Sequence, residues 1–199
     1  MPSYTKYIRQ LPQHAIIENY FTEEEIDKII DLEELQEFSQ GKLGVTGGGG
    51  VERTDKNYRD SEVSWLRWNT ESKWIFDKFG FLLGQINHRD FMYDIDGFDQ
   101  FQYTKYKKNQ HYNWHFDVYT DYQSFERKIS AVILLTDPTK YTGGELQIVV
   151  DGNIETPLSI RPSKGTVVFF ASWMPHRVAP VKSGVRKSLV AWIMGKRSC

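Results

Sequence analysis

The stretch His111-Tyr112-Asn113-Trp114-His115-Phe116-Asp117 sets a histidine and an aspartate two residues apart. On an extended backbone, residues i and i+2 point to the same face. His115 and Asp117 would then offer an imidazole nitrogen and a carboxylate from one side. That is two thirds of a two-histidine, one-carboxylate facial triad, a donor set that leaves positions open on a ferrous ion. The third ligand must come from elsewhere in the chain. The histidines are His14, His88, His111, His115 and His176, and only His176 lies downstream of the pair. A solvated loop would show the same H-x-D spacing, so the weight falls on the C-terminal quarter.

There, Arg186 follows His176 and begins an alternating segment. On a strand, Arg186, Ser188, Val190 and Trp192 share one face, and Lys187, Leu189, Ala191 and Ile193 share the other. The Arg-bearing face is either exposed to water or an anion site inside a barrel. In the second case Arg186 supplies a planar fork that grips a carboxylate bidentately, and Ser188 adds a hydroxyl donor.

The elements that must position these groups fall into two halves. Residues 99–199 carry turn signals and alternating segments at short intervals, the mark of a sandwich or barrel. Gln102, Thr104 and Tyr106 fall on one face of an early strand, and Lys128–Leu135 is a near-continuous apolar run suited to a central one. Residues 1–98 form a helical support with outer strands, all within a single 1–199 domain. Thr22 and Glu25 make a capping box, with Phe21 and Ile26 as a hydrophobic staple. Thr70-Glu71 opens a second helix whose apolar face is Ile75, Phe79, Leu82, Leu83 and Ile86. Gly47–Gly50 lacks the Gly-Lys-Ser/Thr of a phosphate loop and reads as a flexible connection or a lid hinge. Asp94, Asp96 and Asp99 lack the spacing of a calcium loop and read as a turn.

Composition excludes several classes. The chain has 25 basic and 26 acidic residues, so no global field attracts nucleic acid or membrane. Aromatics make up 15%, which suits strands around a lined cavity. The sole cysteine, Cys199, permits neither an internal disulfide nor a thiolate zinc site, consistent with a reducing, cytoplasmic setting. The polar N-terminus gives no expectation of a signal peptide, and no apolar run is long enough to span a bilayer.

Taken together, these residues resemble the iron(II)/2-oxoglutarate-dependent dioxygenases, and among them the prolyl 4-hydroxylase-like branch. The resemblance is carried by Tyr106-x5-Tyr112-x2-His115-x-Asp117 and by Gly-Gly-Glu-Leu at 143–146. It continues in Pro162-x2-Gly165-Thr-Val-Val-Phe-Phe and in His176-Arg-Val-x-Pro-Val-x2-Gly-x-Arg186, followed by Trp192. It implies a double-stranded β-helix (jelly-roll) core flanked by N-terminal α-helices. It also implies Fe(II) on His115, Asp117 and His176. Arg186, Ser188 and Tyr106 would then bind 2-oxoglutarate, and Tyr112, Arg127 and Trp192 would lie near a peptide substrate. Dioxygen would be consumed and succinate and CO2 released, with ascorbate a candidate reductant. Peptidyl proline is the first expectation for the target. The sequence departs from the pattern at Asn109, where a glycine is common, at Leu134, where some members hold the cosubstrate with a tyrosine, and at Arg186, where several have lysine.

Other readings start from the same residues. His111 and His115 could bind zinc from a helix, although Tyr112 stands where a zinc protease needs glutamate. The same oxygenase chemistry could act on a nucleobase, which needs a basic groove, or on a free amino acid. A jelly-roll module could bind without catalysis. Tyr112, Trp114, Tyr119 and Trp192 could pack on a proline ring or simply fill the core.

Overall fold

The computed structural model describes residues 13–43, 54–98, 100–118 and 125–196. The Gly47–Gly50 stretch, Asp99, Tyr119 and Cys199 lie outside the described residues. In chain order the elements are β1 (His14–Ile17), α1 (Glu23–Glu34), β2 (Ser39–Gln40), β3 (Arg59–Asp60), β4 (Glu62–Arg67), α2 (Lys73–Ile86), β5 (Ile95–Gly97), β6 (Gln100–Tyr106), β7 (His111–His115) and β8 (Phe125–Leu134). They continue with β9 (Thr142–Gly143), β10 (Leu146–Ile148), β11 (Leu158–Ile160), β12 (Val167–Ala171), β13 (His176–Val178), β14 (Val181–Ser183) and β15 (Arg186–Lys196).

The fold is mostly β. The larger sheet runs β1-β12-β8-β15-β6-β4-β2, with β5 pairing against β15, and the smaller runs β11-β10-β13-β7-β3. All pairings in both sheets are antiparallel. The N-terminal half therefore supplies strands to both sheets as well as the helices.

Strand alternation explains the layering. Phe101, Tyr103, Ile129, Ala131, Ile133, Phe169, Leu189, Ala191 and Ile193 form one buried core with the apolar faces of α1 and α2. The Phe79 ring of α2 lies 5.2 Å from Phe101 and 5.6 Å from Phe169. Each fully buried Leu, Ile or Phe side chain of this core stabilises the fold by about 1.5–3 kcal/mol. Tyr103 Oη donates to the Ile29 carbonyl at 3.1 Å. On the same side, Lys105 and Lys187 reach the buried Glu33 of α1 at 2.6 and 3.1 Å.

Helix α1 starts as its sequence dictates. The Thr22 side chain accepts from Glu25 N, and Glu25 Oε2 accepts from Thr22 N. Helix α2 begins later than expected, at Lys73. The Asn69 side chain accepts from the backbone of both Glu71 and Ser72, and Ser72 Oγ donates to the Arg67 carbonyl. With Ser72 Oγ accepting from Asn69 N and the Asn69 carbonyl accepting from Lys73 N, these bonds make 69–72 a capping turn that leads into the helix. The acidic segment near Gly97 also differs from expectation. Ile95–Gly97 is a short strand on the far end of β15, with Gly97 opposite Met194. No helix among the described residues is long and apolar enough to cross a membrane.

Candidate active site

His115 ends β7 and His176 begins β13, and the two residues are opposed in the pairing of those strands. Their ring centroids lie 4.1 Å apart. Asp117 sits beyond the end of β7 rather than on it, so the shared-face argument does not place it. Instead its N–H donates to the Ser172 carbonyl at 2.9 Å, and its Oδ2 accepts from Ser130 Oγ at 2.7 Å. The result is the expected convergence. His176 Nε2 is 3.2 Å from Asp117 Oδ2, and His115 Nε2 is 3.7 Å from Oδ1. Among the described residues this is the one His/Cys/Asp/Glu group with metal-ligand spacing, its donor atoms all within 4.8 Å of one another.

The backbone fixes which ring nitrogen faces inward. His115 Nδ1 lies 2.7 Å from the Asn113 carbonyl, and His176 Nδ1 lies 2.9 Å from the Met174 carbonyl. A carbonyl only accepts, so each Nδ1 carries the proton, and Nε2 presents its lone pair to the centre. Burial, and next the neighbouring His176, push His115 down to about 3, against the opposing pull of Asp117. Burial alone would raise Asp117. The His176 ring outweighs it, with His115 and Arg127 adding to the effect, and the carboxyl is held below its usual range. A neutral imidazole and an ionised carboxylate are the forms that bind metal.

A partly enclosed cavity opens on this centre. Eight of the nine sequence-expected residues line it: His115, Asp117, His176, Arg186, Tyr106, Ser188, Tyr112 and Trp192. Arg127 does not. It stands behind Trp192, its Cζ 4.2 Å from the ring centroid. Arg186 is 1% exposed and donates through Nη1 to Ser188 Oγ at 3.1 Å. Its Nε is buried without a partner, as is Trp192 Nε1. An orphaned guanidinium N–H is costly unless a ligand satisfies it, and a carboxylate in the cavity would do so. Burial raises the Tyr106 hydroxyl above its ordinary range, with Arg59 and Arg186 opposing, so it stays a neutral phenol. Leu134 is buried opposite Ser188 and lends no polar group.

The Gly-Gly turn has a steric reason. Gly144 adopts φ +69°, and a Cβ there would fall 2.9 Å from Val181 Cγ2 and 3.2 Å from Arg186 Cδ. The backbone approaches this closely because no side chain intervenes.

Sequence reasoning missed Ser130, Ser172 and Arg59. Ser130 had a signal, a lone hydroxyl in the apolar run Ile129–Leu135 with the parity of Val132. Arg59 stood out only as the end of the basic segment at residues 53–59, because it reaches the cavity from β3 across the gap between the sheets. Trp114, expected with Tyr112 and Trp192 in an aromatic cluster, lies under Arg177 instead, 4.6 Å from its Cζ. His111 is on a strand, which removes the helical zinc reading. Its ring contacts the Asn109 and Asn57 carbonyls.

Residues 101–194 match the 2OG-Fe(II) oxygenase superfamily. A PKHD-type hydroxylase of Crocosphaera subtropica is 33% identical over 94 residues, which are 46% of this chain and 41% of that protein. One from a Synechococcus species is 35% identical over 95 residues, 47% of this chain and 41% of that one. The chain thus matches about two fifths of the length of these curated relatives. A prolyl-4-hydroxylase from Pseudomonas putida superposes with a TM-score of 0.67 at 18% identity, over 94% of each chain. A Trichoplax adhaerens prolyl hydroxylase, solved with a hypoxia-inducible-factor peptide, gives 0.71 at 20% identity, over 92% of this chain and 83% of that one. The chain resembles the iron(II)/2-oxoglutarate oxygenases in sequence over its C-terminal half, and the prolyl 4-hydroxylases in fold over most of its length.

Proposed function

We propose that this protein is an Fe(II)- and 2-oxoglutarate-dependent dioxygenase that hydroxylates a peptidyl residue, with proline the first candidate. One observation carries the reading. Two inward-facing imidazoles and a carboxylate meet in the same cavity that buries Arg186 with an unpaired N–H. Bound ferrous ion and 2-oxoglutarate would supply the oxidising chemistry, inserting one oxygen atom of O2 into a C–H bond as succinate and CO2 leave.

The chain's own residues hold and shield. His115, Asp117 and His176 hold the metal, and Ser130 fixes the carboxylate that joins them. Arg186, Ser188 and Tyr106 hold the far carboxylate of the cosubstrate by charge-assisted hydrogen bonds. Val132, Leu146, Phe170 and Val178 line the same cavity with apolar surface, which excludes water and strengthens every polar contact inside. Tyr112 and Trp192 would steady the target. The peptide assignment draws support from relatives named as PKHD-type and prolyl hydroxylases. The basic segments a nucleobase target would use are residues 105–108 and 53–59, and in the first of them Lys105 and Lys107 are paired to Glu33 and Glu62.

The test is succinate formation with iron, 2-oxoglutarate and O2 across proline-rich peptides, single-stranded nucleic acids and free amino acids, with a chelator control. Stimulation by a proline peptide and loss of product on chelation are expected. Chelator-insensitive turnover, or stimulation only by nucleic acid, overturns the reading.

A further inference from the structure

We propose that the substrate presents a carboxylate to Arg59, on the side of the cavity where Tyr112 stacks against His115. The inference rests on the oxygenase reading above and adds a charge to the substrate it leaves open.

Arg59 is 8% exposed and lines the same cavity as Arg186. Its Nε donates to Ser61 Oγ at 3.0 Å, Nη1 to the Lys42 carbonyl at 3.0 Å and Nη2 to Gln102 Oε1 at 2.8 Å. Its Cζ stands 4.6 Å from the Tyr112 ring centroid, and that ring stacks on His115 at 3.5 Å. Every one of these partners is neutral. Among the described residues no carboxylate comes within ion-pair distance of it. A guanidinium has five N–H donors, and three are used.

The position is built rather than incidental. A Cβ at Gly41 would fall 2.7 Å from Arg59 Nε and 2.3 Å from Ser61 Oγ. The backbone there leaves room for the guanidinium. A brace between the sheets needs hydrogen bonds, not charge, and an unpaired buried charge is costly. The charge is what remains to be explained.

The balance of the loaded site sharpens this. A ferrous ion and Arg186 bring three positive charges, and Asp117 and dianionic 2-oxoglutarate bring three negative ones. The sum closes without Arg59. A substrate carboxylate would close it with Arg59 included. The unpaired Trp192 Nε1 in the same cavity is another donor awaiting an acceptor. An acidic side chain beside the target residue and a free α-carboxylate share this chemistry.

Calorimetric titration of the protein loaded with manganese(II) and 2-oxoglutarate, which does not turn over, separates the two sources. One pair of probes is acetyl-Gly-Pro-Glu-amide against acetyl-Gly-Pro-Gln-amide. The other is acetyl-Gly-Pro with a free carboxylate against its carboxamide. In at least one pair the acid should bind about ten- to hundredfold tighter than its amide, the worth of a hydrogen bond to a charged group. Arg59→Met should erase the difference and Arg59→Lys should keep part of it. The comparison within the parent protein stands even if a variant fails to fold. Equal binding of acid and amide in both pairs, tighter binding of an amide, or no binding of either acid overturns the proposal. Binding of 2-oxoglutarate is read separately in the loading step, and its failure would count against the oxygenase reading instead.

Discussion

Ser130→Ala tests a contact by which the larger sheet holds the candidate metal centre. Ser130 is fully buried, and its Oγ lies 2.7 Å from Asp117 Oδ2 and 2.9 Å from Ser172 Oγ. Removing it takes a hydroxyl from an ionised carboxylate, a bond worth about 1.5–3 kcal/mol. Loss of an outer-sphere partner of this kind weakens metal binding about 10–100-fold. The two ranges agree, because a tenfold change is about 1.4 kcal/mol. Anaerobic calorimetric titration with Fe(II), or with Co(II) as a stable probe, should therefore show a Kd raised by that factor. Ser172→Ala is the control. It removes a hydroxyl one step further away and spares the Ser172 carbonyl that receives the Asp117 N–H. Its effect should be smaller. An unchanged affinity in Ser130→Ala, or a larger loss in Ser172→Ala, would show that the carboxylate is placed by something else.

Three further outcomes follow from the geometry. Arg186→Ala should weaken 2-oxoglutarate binding by about tenfold or more, read by titrating the manganese-loaded protein, and parental affinity would remove the anchor. Gly144→Ala puts a side chain at φ +69° against Arg186 Cδ. It should cost about 1–3 kcal/mol of stability and weaken 2-oxoglutarate binding while sparing metal affinity, and parental binding of the cosubstrate would break the link between turn and anchor. His115 is held down to about 3 by burial and then by His176, whereas an unfolded histidine titrates near about 6.5. Between those values the unfolded chain binds the extra proton, so metal-free stability should fall as pH drops from about 6.5 toward 3, by a few kcal/mol at most, and be insensitive to this group above that window. Melting curves of the parent and of His115→Asn should diverge across that window, and parallel curves would refute the assignment.

How far the sequence could be read depended on whether position followed from local pattern. The alternation of Gln102, Thr104 and Tyr106, and of Arg186, Ser188, Val190 and Trp192, is a property of single strands. Both sets line the cavity as their parity requires. The Thr22–Glu25 cap is equally local and formed as expected. Asp117 was identified by its spacing to His115, but for an incomplete reason. The strand ends before it, and two serines from β8 and the segment after β12 hold it in place. Such contacts join residues 13 and 55 positions apart, and no periodicity encodes them. Helix α2 starts a few residues later than expected because Asn69–Ser72 forms the capping turn ahead of it. Arg59 was invisible as a site residue because its place depends on how β3 meets β7 and on a glycine of another segment.

The division of labour between the sheets explains why the site needs the whole barrel. His115 and His176 belong to the smaller sheet, whereas Ser130, Tyr106, Arg186 and Ser188 belong to the larger one. Neither sheet holds a complete set of ligands. The sheets share apolar contact: Leu146, Ile148 and Ile160 of the smaller one belong to the same buried cluster as Val132, Ile133 and Phe170 of the larger one, and Tyr106 and Val178 meet in a second cluster with Val181 and Tyr112. Polar contacts add to it: Ser130 to Asp117 from the larger sheet, and Arg59 to Gln102 from the smaller. A metal and a dicarboxylate bound in the cavity would touch both sheets at once, and anything that binds only the folded state adds its binding free energy to folding. The chemistry and the closure of the barrel therefore share contacts, and a substitution that loosens one should be felt in the other.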